Sequence, residues 1–207
     1  MKKKVLIVLM VTLSISSLFA QNKDKPSSKI ALYAGADMGY SGSNLVSDIA
    51  SGFYGGFEIT PYFGIKPFTK VQGLSFEVAV QMDFMKRTDG DFTHDFTIIS
   101  PQFLVGYNGS FGKIRPFIKA GAGININSGK QVFAYENYTS TEKIDATPSV
   151  SFVLNPGIEF QLTKLISLVG YGRFNFNLTD LSMNGNTLEK AVFIGTQSFG
   201  FGTKFNF

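Results

Sequence analysis

From Leu74 the chain alternates without a break. Leu74, Phe76, Val78, Val80, Met82 and Phe84 are apolar, while Ser75, Glu77, Ala79, Gln81 and Asp83 between them are small or polar. A period of two puts these sets on opposite faces of a strand, whereas the 3.6-residue period of a helix would mix them. The same alternation recurs over 30–40, 53–63, 97–107, 114–126, 150–162, 166–178 and 199–207. No residue on these eight apolar faces is charged, although 16% of the chain is. The pattern predicts eight strands of roughly 11 to 14 residues, long enough for the ~9–11 of a tilted membrane strand and about twice the ~5–6 of a soluble one.

Alternation alone does not say which face points inward, since a soluble ligand-binding barrel also alternates. The polar face decides. It is rich in Gly, Ala, Ser, Asn and Gln, including Gly35, Gly39, Gly56, Gly121, Gly123, Gly157, Gly200 and Gly202, and poor in charge. Bulk water would call for Lys and Glu there, and a narrow lumen for small side chains. The connections agree: 41–52, 86–91, 128–147 and 179–190 are mostly longer than the intervening 64–73, 108–113 and 163–165. Long loops on one rim and short turns on the other is the outer-membrane pattern. The expected fold is therefore all-β, an eight-stranded antiparallel up-and-down transmembrane β-barrel with its apolar face in lipid. Pro61, Pro101, Pro116 and Pro156 fall inside strands that have no free edge, and are expected to mark bulges.

Composition adds compartment. The 207 residues include no Cys, which excludes a disulfide scaffold, a thiolate metal site and a cysteine nucleophile. Lys2, Lys3 and Lys4 precede an apolar run from Val5 to Leu13 and small residues up to Ala20, the layout of a secretory signal peptide. Residues 1–20 are thus expected to be removed, 21–29 to form a flexible periplasmic tail, and 30–207 to form the barrel. Cleavage would take three of the 19 basic residues and leave the rest nearly balanced against 15 acidic ones, so the net charge of +4 implies no nucleic-acid partner. The expected location is the outer membrane of a diderm bacterium.

Several stretches resemble one family. Arg115-Pro116-Phe117-Ile118-Lys119-Ala120-Gly121-Ala122-Gly123 is similar to an Arg-Pro-aromatic strand ending in Gly-Ala-Gly. The run from Gly157 to Thr163, then Ile166-Ser167-Leu168 and Tyr171-Gly172-Arg173, is similar to a penultimate hairpin. Phe199, Phe201, Phe205 and Phe207, broken by Thr203, resemble a terminal assembly signal. Together these resemble the OmpA/OmpX-like small outer-membrane β-barrels, the porin-family proteins of diderm bacteria. The resemblance implies partnership with outer-membrane lipids and with the machinery that assembles such barrels. Its motifs mark architecture rather than an activity.

The inward face is predicted to carry Asp37, Glu58, Glu77, Asp83 and Glu159 against Arg115, Lys119, Arg173 and Lys204. In an interior just wide enough for side chains, these are expected to pair into a plug. A narrow ion or small-solute channel is the alternative. An extracellular ligand, of unknown identity, would meet the loop aromatics Phe133, Tyr135 and Tyr138, which could equally extend the hairpin as an aromatic girdle. The only His, His94, stands beside Asp95, a conceivable general base with its orienting acid for a rim enzyme. Phe96 occupies the place of a Ser in His-x-Ser, and no catalytic site is assigned. Asp89, Asp91 and Asp95 lack the spacing of a calcium loop, and neither metal nor cofactor is called for. The reading is a structural or surface-interaction barrel.

Overall fold

The computed structural model describes residues 30–46, 52–67, 73–135, 138–183 and 186–207. The expected signal peptide and the expected 21–29 tail lie outside the described residues. Eight strands close into one barrel in chain order: β1 Ile30–Val46, β2 Gly52–Pro67, β3 Leu74–Asp89, β4 Phe92–Asn108, β5 Ile114–Tyr135, β6 Tyr138–Gln161, β7 Ile166–Met183 and β8 Asn186–Asn206. Every neighbouring pair is antiparallel, and β8 closes on β1 from Tyr33↔Asn206 to Val46↔Phe193. Phe207 adds a last closing bond, its N–H donating to the Leu32 carbonyl at 2.9 Å. Closure leaves no edge strand in the hydrocarbon, the condition for a sheet to cross a membrane.

The expected faces are the observed ones. Phe57 sits beside Phe84, Ile59 beside Met82 and Phe63 beside Val78, all outward. Phe201 remains 69% exposed and Phe103 53%, within a belt of outward Ile, Val and Phe that runs round the barrel. So large a continuous apolar surface is not compatible with bulk water. Lipid covers it.

Two expectations fail. The prolines mark no bulge. On its β3 side Pro61 lies in a gap of the ladder between Ile59↔Met82 and Tyr62↔Ala79, and the register resumes unchanged. Pro101 and Pro156 are passed in the same way, and Pro116 pairs in register with Ile158. Proline removes only its own N–H, so the ladder loses a bond locally and the strands need not slide. The true register shifts lie between Asn125 and Asn127, between Ala146 and Ser151, and around Leu181.

The long loops are also largely strand. β5 and β6 continue through the stretch expected as a loop to Tyr135 and from Tyr138, pairing from Ser128↔Asp145 to Tyr135↔Tyr138. β3 turns into β4 at Gly90 and Asp91, with Gly90 in the left-handed region at φ 56°. At ~3.3 Å per residue, strands as long as β5 and β6 have a contour of ~75 Å, far more than a tilted crossing of a ~25 Å apolar band requires. The sheet therefore rises well beyond the lipid as hairpins. Above the membrane neither face must be apolar, so the period-two signal disappears while the backbone pairing persists.

Candidate functional site in the barrel lumen

The inward residues stack in layers from the rim that carries Ile30 and Phe207. At that rim Glu159 is fully buried and holds Lys204, with Arg115 at 3.6 Å and Lys66 at 4.0 Å. The Ser167 hydroxyl donates to Glu159 Oε1 at 2.8 Å, and Arg115 Nη2 donates to Gln161 Oε1 at 2.7 Å. Lys204 and Lys66 lie 4.4 and 5.4 Å from the centroid of Tyr33, a cation–π arrangement. Tyr33 itself packs over Gly64, where a Cβ would run into its ring, so glycine is what admits an inward aromatic here.

The next layer is one ion pair, Lys119 Nζ to Glu77 Oε2 at 2.6 Å, with the ammonium over the rings of Phe117 and Tyr62. Above it lies Arg173, fully buried. Its guanidinium bonds Glu58, reaches Asp37 at 3.3 Å and donates to Thr60 Oγ1 at 2.7 Å. With its amide oxygen facing the guanidinium, Asn155 accepts from Nε at 3.2 Å and Nη2 at 3.0 Å. Thr60 also donates to Glu58 at 2.6 Å, and Tyr171 lies under the guanidinium at 5.0 Å. An Arg served on every side is what makes full burial of its charge tolerable.

The chemistry changes above Arg173. Asp83 is held by neutral donors, Ser41 Oγ at 2.6 Å and Gln81 Nε2 at 2.8 Å. Gln102 donates to Gln81 at 2.6 Å. Asn125 and Asn175 exchange amide hydrogen bonds, Asn125 also donates to Asn177 at 3.0 Å, and Asn177 donates to Ser149 at 2.6 Å. Over these amides sits an apolar cluster of Tyr54, Met85, Ile98 and Ile194, with Phe96 packed against it.

The structure thus brings Asp37, Glu58, Glu77, Asp83, Lys119, Glu159, Arg173 and Lys204 into the buried interior, with Arg115 at its rim. Of these nine, Asp83 is the one held by neutral partners instead of an ion pair. Two contributors escaped sequence reasoning. Lys66 continues the inward face of β2 two residues past Gly64, where the apolar alternation had ended and a turn was expected. Of the apolar cluster, Tyr54 and Ile98 sit on positions assigned to a polar face, and Met85 and Ile194 lie outside the strands the alternation marked. The cluster's trace in the sequence is the adjacent pair Ile98-Ile99, which breaks the alternation.

Of the loop aromatics, Phe133 lies within β5, inward and beside Phe92 with ring centroids 4.8 Å apart. Tyr135 and Tyr138 end β5 and begin β6, and their side chains lie outside the described residues. His94 and Asp95 do not form a pair. His94 stands edge-on to Tyr54 at 6.3 Å, while Asp95, on the opposite face of β4, pairs with Lys130 at 3.3 Å. Burial, then the nearby Arg87, hold the His94 imidazole below its ordinary pKa, with Asp89 opposing. Asp89 is itself paired with Arg87 at 2.9 Å.

Neisserial surface protein A has 17% sequence identity to this chain and a TM-score of 0.55, over 88% of this chain and 100% of its own. A major outer membrane protein from Thermus thermophilus gives 14% identity and 0.61, over 87% and 100%. The fold is that of the small outer-membrane β-barrels. No family model and no curated protein matches the sequence. At these identities the likeness is one of architecture.

Proposed function

We propose that this protein is an exported outer-membrane barrel with a closed lumen, and that it serves a structural or surface-interaction role through the hairpins that rise beyond the lipid. The observation that carries the reading is the filled interior. Charged, amide and apolar layers succeed one another along the axis, and Arg173, Glu58, Ile98 and Ile194 are each fully buried. An ion crossing it would have to break the Arg173 cluster and then pass an apolar constriction, both costly. On this reading the signal peptide is cleaved after Ala20, the rim carrying Ile30 and Phe207 is periplasmic, and the β5–β6 hairpin is extracellular. Phe199, Phe201, Phe205 and Phe207 present the closing strand to the assembly machinery.

Orientation and display can be tested together. A membrane-impermeant amine reagent on intact cells should label Lys130 and Lys143 on the extracellular hairpins and spare Lys113 and Lys164 on the opposite rim. All four are exposed in the folded barrel, so access is set by topology. The reverse pattern would invert the barrel, and no labelling at either rim would remove it from the surface.

A further inference from the structure

The lumen's charges are balanced in number and unbalanced in place. Among the described lumen residues below the apolar cap, five acids, Asp37, Glu58, Glu77, Asp83 and Glu159, face five bases, Lys66, Arg115, Lys119, Arg173 and Lys204. The midsection sets Asp37, Glu58 and Asp83 against Arg173 alone, whereas at the periplasmic rim Lys66, Arg115 and Lys204 converge on Glu159 alone. Both ammonium groups address the same oxygen, Glu159 Oε2. Glu159 neutralises one of the three cations. The side chains of Lys66 and Arg115 are only 22% and 27% exposed, so water screens their remaining charge weakly.

These two basic residues line a cavity of about 380 Å³ at the rim, together with Gly73, Tyr107, Asn108, Gly109 and Ser110. The Asn108 amide is occupied, donating to the Gly73 carbonyl and to Ser75 at 3.0 Å each. Besides Asn108, the lining residues that carry side-chain donors are Lys66, Arg115, Tyr107 and the exposed Ser110, with Arg115 keeping its bond to Gln161. From this geometry we infer an anion site at the periplasmic mouth, in which Lys66 and Arg115 grip a phosphate group. A guanidinium offers paired donors to a tetrahedral oxyanion and an ammonium supplies a point charge beside it. The volume admits one phosphate with part of what it is attached to. Tyr107, which lines the same cavity, is on the lipid-facing side and 54% exposed, placing the lip at headgroup depth. The phosphate is therefore that of an inner-leaflet lipid headgroup or a free phosphate from the periplasm.

The inference rests on the periplasmic placement of this rim proposed above, and its test is kept separate from that reading. Full-length protein refolded in an uncharged detergent is heated, and the midpoint is read from loss of the compact band in unboiled gel samples. Inorganic phosphate at constant ionic strength, or phosphatidylglycerol added to the micelles, should raise the midpoint by several degrees over chloride alone. A response to phosphatidylglycerol only assigns the headgroup, and a response to both assigns free phosphate as sufficient. The variant Lys66→Gln with Arg115→Gln should keep the compact band and lose at least three-quarters of the shift. Should that variant not refold, Arg115→Gln alone should roughly halve it. A wild-type midpoint unmoved by either probe, with the compact band intact, overturns the site, as does an undiminished shift in the variants. Absence of the compact band from wild type would instead overturn the barrel reading.

Discussion

The lower and upper halves of the lumen are filled by different physics. Below and including Arg173, closure is ionic: each buried cation has a carboxylate, and Tyr33, Tyr62, Phe117 and Tyr171 supply ring faces to the charges. Above Arg173 the partners are neutral: Ser41 and Gln81 hold Asp83, and Asn and Gln amides lie under an apolar cap. Gln102 Oε1, both amide atoms of Asn127 and the hydroxyls of Ser151, Thr196 and Ser198 are buried there without a protein partner. Tyr33 Oη, Asp37 Oδ1, Glu58 Oε2 and Glu77 Oε1 are likewise buried without a protein partner in the lower half. The contrast shows that burying charge is not what a closed barrel needs. Ionic closure locks a specific geometry because removing one member strands another, while amides and methyls fill the same cross-section with less at stake per residue.

The largest effect should come from breaking the ionic half. Arg173→Ala leaves Asp37 and Glu58 buried without their cation and should lower stability by ~3–5 kcal/mol, read from the unfolding midpoint of refolded protein. Adding Asp37→Asn and Glu58→Gln to Arg173→Met should restore much of the loss. If it does not, packing rather than stranded charge holds that layer. In the upper half, Ile98→Ala removes methyl groups from the cap and should cost on the order of 2 kcal/mol. A cost equal to that of Arg173→Ala would erase the distinction between the halves.

The smallest effect concerns His94, near the rim opposite the one that carries Ile30 and Phe207. Its folded pKa is depressed, so the unfolded chain takes up a proton first as pH falls. The stability it contributes is present above the ordinary value near 6.5 and is lost as pH drops through the folded value. Acidification from neutral pH should therefore lower the unfolding midpoint slightly in wild type, and His94→Asn should remove that part of the slope. His94→Ala should leave surface display intact.

The barrel was legible because lipid on one side and a packed lumen on the other impose opposite chemistry on alternate residues. Leu74 to Phe84 states that rule plainly. Where one of the two demands lapses, so does the signal. Beyond the membrane, the hairpin from Ser128 to Tyr135 has no lipid to face, and its strands read as a loop. At the rim, Lys66 stands past the last outward apolar position that marked β2. The lumen was half legible. Charges on an inward face must be matched, so Glu77 and Lys119 announce themselves, yet nothing in spacing says that three bases would share Glu159 and leave Asp83 to Ser41 and Gln81. The apolar cap was illegible for a related reason: Met85, Ile98 and Ile194 obey neither a polar-inside rule nor a lipid-facing one, only the local need to close the top of the lumen.

The central claim, that the lumen is closed, is tested most directly by single-channel recording of the refolded full-length protein in a planar bilayer. The account predicts a flat baseline at moderate voltage, with no steady ion-sized conductance, in wild type. A sustained open level that scales with salt concentration would contradict it and make the layers around Arg173 and Ile98 the walls of a pore.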